Sequence, residues 1–200
     1  MHFAESLIAE LDSALDKSTV EWRVSALRRI TDLFVAGAAR YRQEHVALYD
    51  AVLSRLAAKV ELRSLVELSG RLAPIENAPA STVNCLSQSD NIAVAGPVLE
   101  RSGVLGDADI AQIAKTKGQD HLLAIAGRSR IAAAVSDVLV ERGSPEVLQK
   151  VIANHGASVS EVAFVRLINE AKRHKTLAAQ IAARADVPSE LRSFLSLSLN

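Results

Sequence analysis

Three cationic side chains recur at matched positions in the second half of the chain. They are Arg128, His155 and Arg184, and each lies three residues after an isoleucine that begins an Ile-Ala pair. Equivalent positions of stacked repeats line up in space, so these side chains would form a strip at the ends of neighbouring helices, with Arg130 beside it. Arginine binds carboxylates and phosphates through paired hydrogen bonds. The pattern therefore predicts a ridge that binds an acidic or phosphorylated partner.

The same strip also has a purely structural interpretation. Cations near a helix C-terminus complement the helix dipole and bond the last carbonyl groups. We favour this capping role and keep the binding ridge as the sharper hypothesis. If the ridge binds a partner, replacing Arg128 and Arg184 by Glu should abolish capture of that partner while the protein stays folded.

Motifs for catalysis, phosphate binding and metal binding are missing from the sequence. The segment Gly127-Arg128-Ser129-Arg130 begins like a nucleophile elbow, but Arg130 stands where the second glycine is required and no predicted strand precedes it. The five histidines lie far apart, and none has a second His or Cys one helical turn away. The sequence therefore predicts no catalytic, cofactor-binding or metal-binding residue, and a protein that is not an enzyme.

Composition favours helices and argues against several classes of partner. Apolar residues make up 49% of the chain and aromatic residues only 4%, an aliphatic usage that is typical of helices rather than strands. The formal net charge is zero, so binding to nucleic acid is not expected. The single cysteine, Cys85, excludes an internal disulfide. No signal peptide or membrane span is recognisable, and we expect a cytoplasmic protein without a membrane partner.

Short helices with regular breaks position the cationic strip. Four aliphatic residues are each followed by Ala or Ser and, six or seven residues later, by a second aliphatic; they are Leu86, Ile125, Ile152 and Ile181. Degenerate periodicity of this kind indicates a solenoid, in which small units stack to bury their apolar faces. We predict an all-α fold, a right-handed α-solenoid of HEAT-like helical hairpins with an N-terminal helical bundle. Chance similarity among Ala- and Leu-rich helices is the alternative.

A break at residues 73–79 divides the predicted fold. Two prolines in this segment forbid a continuous helix. The division separates an N-terminal helical part, residues 1–73, from a repeat array, residues 80–200, in one continuous body. The first part fits a plain antiparallel bundle as well as it fits repeats. Its helix from Phe3 to Leu15 has a single apolar stripe, which docks on its own domain or joins two copies in a homodimer.

Capping residues predict where individual helices begin. Ser18 and Ser158 each precede a glutamate by three residues, which is the pattern of a capping box. Ser144 precedes Pro145, which fits an N-cap followed by proline at the first helical position. Trp22, early in the second helix, fits either a core anchor or an interface anchor, and we favour the core.

An ordered set of segments resembles a known family. The segments are Pro97–Ser102, His121–Arg128 and Val135–Gly143, followed by the turn Asn154–Ala157 and by Arg184–Pro188. Together they are similar to a bacterial family known as domain of unknown function 2336, and the resemblance spans roughly residues 20–190. It implies a helical solenoid similar to HEAT repeats. It implies no known activity and brings no catalytic residues with it.

The best functional prediction is a non-enzymatic scaffold or adaptor that binds an unidentified protein partner through a helical-repeat surface. One alternative is an enzyme or small-ligand binder with a pocket between the N-terminal helices and the array, where perturbed pKa values would be expected. Another alternative is a nucleic-acid-binding helical-repeat protein.

Overall fold

Residues 12–172 and 175–199 are described by the structure, a computed structural model. These residues form helices joined by short loops, and within them there is no β-strand. A single parallel bridge pairs Ile131 with Ala157. The predicted all-α class is therefore confirmed. The predicted helix from Phe3 to Leu15 lies mostly outside the described residues, which begin with the helical segment 12–17, here named α1.

Backbone contacts divide the chain into two units. The first comprises Met1–Val98 with Ser102–Val104, and the second comprises Leu99–Arg101 with Leu105–Asn200. The proline-containing break at residues 73–79 is a turn between two helices of the first unit.

The first unit is built from helices that pack on their neighbours and on their second neighbours. After α1 come α2 (Val20–Gly37), α3 (Gln43–Ala57), α4 (Leu62–Leu72), α5 (Ala80–Ser87) and the start of α6 (Ile92–Arg101). Helix α2 packs against α3 and α4, and α5 packs against the same two helices. Phe34, Leu53 and Leu72 lie in this core without exposure to solvent.

Helix α2 begins one residue later than the capping pattern predicted. The hydroxyl of Thr19 accepts a hydrogen bond from the backbone N–H of Trp22 at 3.2 Å. The hydroxyl of Ser18 instead donates to the carbonyl of Leu15 at 2.7 Å, closing the last turn of α1. Trp22 is 51% exposed, so its predicted role as a core anchor is wrong.

The second unit consists of helices in two rows. They are α7 (Asp107–Thr116), α8 (Gln119–Ala126), α9 (Ala133–Arg142), α10 (Pro145–Ala153), α11 (Glu161–Ala171), α12 (Lys175–Ala183) and α13 (Ser189–Leu199). Helices α7, α9, α11 and α13 each pack on the next in that order, and we call them the odd row. Helices α8, α10 and α12 do the same and form the even row. Neighbouring helices such as α9 and α10 join the two rows.

The predicted repeat markers hold equivalent places in the even row. Ile125, Ile152 and Ile181 each lie in the last turn of their helix, and all three are buried. Pro145 occupies the first position of α10 after Ser144, as predicted. Helix α11, however, is capped by Ser160 rather than by Ser158, because the Ser160 hydroxyl accepts from the N–H of Ala163 at 3.1 Å. No described helix is both long enough and apolar enough to cross a membrane.

Candidate functional site

Arg184 lies directly after α12 and is only 3% exposed. One terminal nitrogen of its guanidinium donates to the carbonyls of Ile152 and Asn154 at 3.0 and 2.9 Å, and the other donates to the carbonyl of Ala157 at 2.8 Å. The side chain also forms a two-point ion pair with Asp186, at 2.8 and 2.7 Å. Arg184 thus joins the end of α12 to the end of α10.

Asn154, which follows α10, makes the same kind of link two helices earlier in the chain. Its side-chain amide donates to the carbonyls of Ala126 and Arg128, at 3.0 and 2.7 Å, at the end of α8. Its side-chain oxygen accepts from the backbone N–H of Gly156 at 2.9 Å, which closes the turn after α10. Asn154 carries no charge and so lies outside the cationic pattern, which pointed to the next residue, His155.

Arg128 extends the series by one more step. Its guanidinium donates to the carbonyl of Leu99, in the last turn of α6, at 2.6 Å. Burial lowers the pKa of the Arg128 guanidinium from its ordinary value, and the carboxylate of Asp107 opposes this shift. Arg128, Asn154 and Arg184 therefore form one device, which we call the helix-end ladder: each side chain bonds the backbone at the end of a preceding helix.

The helix-end ladder divides the predicted ridge into a buried part and an exposed part. Arg184 is buried and Arg128 is half-buried, whereas Arg130 and His155 are exposed. Two backbone hydrogen bonds place the loops that carry them side by side, from Ile131 N–H to the Gly156 carbonyl at 3.1 Å and from Ser158 N–H to the Ile131 carbonyl at 2.9 Å. The Arg184 guanidinium bonds carbonyls at and after the end of α10 rather than facing the surface.

Charge reversal of Arg184 is therefore unsuitable as a test of partner binding. A glutamate there would place a carboxylate among the carbonyl oxygens of Ile152, Asn154 and Ala157.

The same cluster changes the pKa of Asp186, whose carboxylate accepts hydrogen bonds from Arg184. The Arg184 hydrogen bonds lower the pKa of the Asp186 carboxyl, and His155 adds to this effect.

The odd row contains comparable links between helix ends. Arg142, the last residue of α9, donates to the carbonyls of Ala114 and Lys117 at the end of α7. Asp137, on the same helix, accepts a hydrogen bond from the hydroxyl of Ser160 at 2.6 Å, and Ser160 is the N-cap of α11. Polar side chains thus connect second-neighbour helices in both rows.

Two open hollows lie on the surfaces of the separate units. The hollow of the first unit, between α2 and the start of α4, has a volume of about 440 Å³ and is lined by Val20, Glu21, Val24, Ser25, Arg28 and Glu61. The hollow of the second unit, between α9 and α11, has a volume of about 210 Å³ and is lined by Asp137, Glu141, Val162, Ala163 and Arg166. Among the described residues, no group of three or more His, Cys, Asp or Glu side chains is placed to hold a metal ion.

Comparisons with known proteins identify a family. A search of curated proteins and a search of solved structures each returned no match. A family model described as an uncharacterised protein conserved in bacteria (DUF2336) matches residues 94–198, and the resemblance seen in the sequence is thereby confirmed. Since this match covers more than half of the 200 residues, the chain belongs to that bacterial family.

Proposed function

We propose that this chain is a non-enzymatic scaffold or adaptor of the bacterial cytoplasm, which binds a protein partner through the surface of a helical-repeat array. The array would be a right-handed α-solenoid of HEAT-like hairpins. Support comes from the two rows of the second unit, in which each helix packs on its second neighbour. Repeats that contact only their neighbours are the defining feature of a solenoid.

The helix-end ladder is the observation that carries this proposal. Arg184 is almost fully buried, and its donors are directed to backbone carbonyls and to Asp186. Buried hydrogen-bonded groups of this kind restrict how far one repeat can move against the next. A fixed spacing between repeats holds exposed residues of successive repeats at fixed distances, which is what an extended protein-binding surface needs.

Partner capture tests the scaffold function directly. The full chain would be immobilised, exposed to a native bacterial extract, and the retained proteins identified by mass spectrometry. We expect a specific protein partner that is retained at moderate salt. Absence of any protein partner, together with turnover of a small molecule by the purified chain, would contradict the proposal and favour an enzyme.

The exposed part of the predicted ridge offers the first site to test on a captured partner. Arg130 and His155 lie on adjacent loops and, with half-buried Arg128, fit an acidic or phosphorylated segment. Changing Arg130→Glu together with His155→Glu should weaken capture of such a partner about tenfold or more. The matched control is Arg29→Glu with Arg63→Glu, two exposed arginines of the first unit, which should leave capture unchanged.

Self-association through the N-terminal helix remains a separate proposal. Sedimentation of the full chain and of a chain that lacks residues 1–11 would test it. A dimer that becomes a monomer after this deletion supports a homodimer, whereas a monomer in both cases rejects it.

A further inference from the structure

Helix α11 has a second apolar face that the fold does not bury. Its core-facing residues are covered; they are Ala163, Phe164, Leu167, Ile168 and Ala171. Val162 and Val165, in contrast, are 69% and 43% exposed. Valine is a poorer helix former than alanine, lysine or glutamate, because its branched side chain loses rotamers in a helix. Local helix stability therefore does not account for valine at these two exposed positions.

The hollow beside this face has acidic residues on its other wall. Asp137 and Glu141 are four residues apart on α9 and so share one side of that helix. Across the hollow stands Arg166 of α11, whose guanidinium lies 3.7 Å from the Glu141 carboxylate. Both of these side chains are more than half exposed, so this ion pair is weak and a competing cation can replace it. The α9–α11 groove thus combines an apolar floor, at Val162 and Ala163, with two carboxylates against one guanidinium.

We propose that this α9–α11 groove binds an amphipathic helix from a partner protein, and that this helix carries an aliphatic anchor and a lysine or arginine about one turn away. The proposal rests on the scaffold function and adds the class of partner. In this mode of recognition, the apolar face of a helix lies in a groove between two others. The aliphatic anchor covers Val162, and the cation lies against Asp137 and Glu141.

Charge decides which helices the groove accepts. Complementary charges orient a partner and speed its encounter, while like charges oppose binding. An acidic helix would bring its carboxylates towards Asp137 and Glu141, so the groove should reject it. This preference is opposite to that expected of the Arg130 and His155 loops, and the two surfaces can therefore be distinguished by one pair of peptides.

The experiment uses the full chain and two labelled peptides. The first peptide has an aliphatic stripe flanked by lysines, and its twin has glutamate in place of every lysine. Both are about 18 residues long, since shorter isolated helices are marginal in water. Fluorescence anisotropy should show saturable binding of the lysine peptide and binding of the glutamate twin that is about tenfold weaker or less.

Variants assign the binding to the groove. Val162→Asp should weaken binding of the lysine peptide about tenfold or more, because it places a polar group under the aliphatic anchor. Glu141→Lys should reduce the difference in affinity between the two peptides. The matched control is Val20→Asp, at a valine of the first unit that is 47% exposed, and it should leave both affinities unchanged. Circular dichroism confirms that each variant is folded, and the uncharged Val162→Asn replaces Val162→Asp if the latter is not.

Several results would overturn this assignment. The groove is not the site if the lysine peptide fails to saturate, if its affinity survives Val162→Asp, or if both peptides bind equally. If the glutamate twin binds better and Arg130→Glu with His155→Glu removes that binding, the loop surface is the site and the scaffold function stands without the groove. If neither peptide binds and the native extract also yields no partner, the groove and the scaffold function fail together.

Discussion

At the scale of single residues, polar side chains supply hydrogen bonds to the backbone groups at the ends of other helices. The last four carbonyls of an α-helix have no donor within the helix and need a partner where they are buried. Arg184 supplies donors to the Ile152 carbonyl in the last turn of α10, to the carbonyl of the C-cap residue Asn154 and to that of Ala157 in the loop after it. Asn154 does this for the end of α8 with its single amide group. Charge is not essential to the role, and an uncharged amide can fill it.

Asp50 is the equivalent device at a helix N-terminus. Helix α5 has Pro79 at its N-cap position, which provides no side-chain acceptor. The Asp50 carboxylate, from α3, accepts from the N–H groups of Ser81 and Thr82 at 2.9 and 2.8 Å and from the Thr82 hydroxyl at 2.7 Å. Burial alone would raise the pKa of Asp50, but the hydrogen bonds from Thr82 and Ser81 together lower it.

Replacing Asp50→Ala should therefore destabilise the protein in a manner that depends on pH. At pH 7 we expect the free energy of unfolding to fall by about 1–2 kcal/mol, the usual cost of losing a capping group. Because the folded-state pKa of Asp50 is lowered, its contribution is present above the ordinary aspartate pKa of about 3.9 and is lost as the pH falls through the folded-state value.

Urea unfolding of both proteins between pH 3 and pH 7 checks this prediction. The difference between wild type and Asp50→Ala should shrink as the solution becomes more acidic. The control, Glu76→Ala at an exposed turn residue, should change stability by less than about 0.5 kcal/mol. A difference that grows at low pH would show that Asp50 is not stabilised as the carboxylate.

At the scale of elements, helix starts depend on which of several polar residues is the cap. Both Ser158 and Ser160 precede α11, but only Ser160 bonds the first turn, and its hydroxyl also donates to Asp137 on α9. Ser160→Ala should lower the free energy of unfolding by about 1–2 kcal/mol, because it removes the cap and the link to α9 together. Ser158→Ala is the matched control and should be nearly neutral. Thermal or urea unfolding of the two variants decides between them, and equal effects would contradict the structure.

Close contact between the loops of the even row constrains Gly156. A Cβ atom at this position would lie 1.9 Å from the carbonyl oxygen of Ser129, so the loop after α10 would have to move away from the loop after α8. We expect Gly156→Ala to cost about 2–3 kcal/mol of stability. Gly103→Ala, where a Cβ would meet no atom within 4 Å, is the control and should be tolerated. Similar melting temperatures for the two variants would disprove this close loop packing.

Sequence patterns predicted the helices better than they predicted side-chain roles. Local signals were sufficient at the start of α10, where Ser144 and Pro145 leave a single choice of first residue. They were insufficient at Ser158 and Ser160, since either residue can cap and only the position of α9 decides. The burial of Trp22 was predicted wrongly, because an apolar residue in an amphipathic helix can lie at the edge of the buried face.

The binding surfaces were harder to predict than the helices. The predicted ridge used the spacing of charges along the chain, and that spacing selected His155 where the neighbouring Asn154 makes the helix-end bonds. It could not show that Arg184 is directed inward, because its carbonyl partners belong to a helix about thirty residues earlier in the chain. The α9–α11 groove was missed for a related reason. Val162 lies off the buried face of α11, and only the packing of α11 on α9 shows that it borders a groove.

At the scale of the whole molecule, we expect the second unit to open locally, one interface between helices at a time, rather than as one cooperative body. Each of its helices packs on its second neighbour along the chain and on at least one adjacent helix. In the stacked-repeat array proposed above, stability would be roughly a sum of repeat terms and nearest-neighbour terms. Damage to the interface between α10 and α12 should therefore loosen α12 and α13, which follow it in the chain. Helices α7 and α8, which lie earlier in the chain, should keep their stability.

Arg184→Ala provides a test of that expectation. Removing the guanidinium takes away its donors to the Ile152 and Ala157 carbonyls, while the Asn154 carbonyl still accepts from the backbone N–H of Ala157; we expect a cost of about 2–3 kcal/mol that falls on the interface between α10 and α12. Hydrogen exchange followed by mass spectrometry should show amides of α12 and α13 exchanging about thirtyfold faster or more, while those of α7 and α8 keep their protection. Arg130→Ala, at an exposed position in the loop after α8, should alter neither region. If Arg184→Ala instead accelerates exchange equally from α7 to α13, the second unit opens as one cooperative body, and the stacked-repeat architecture on which the scaffold proposal depends is wrong.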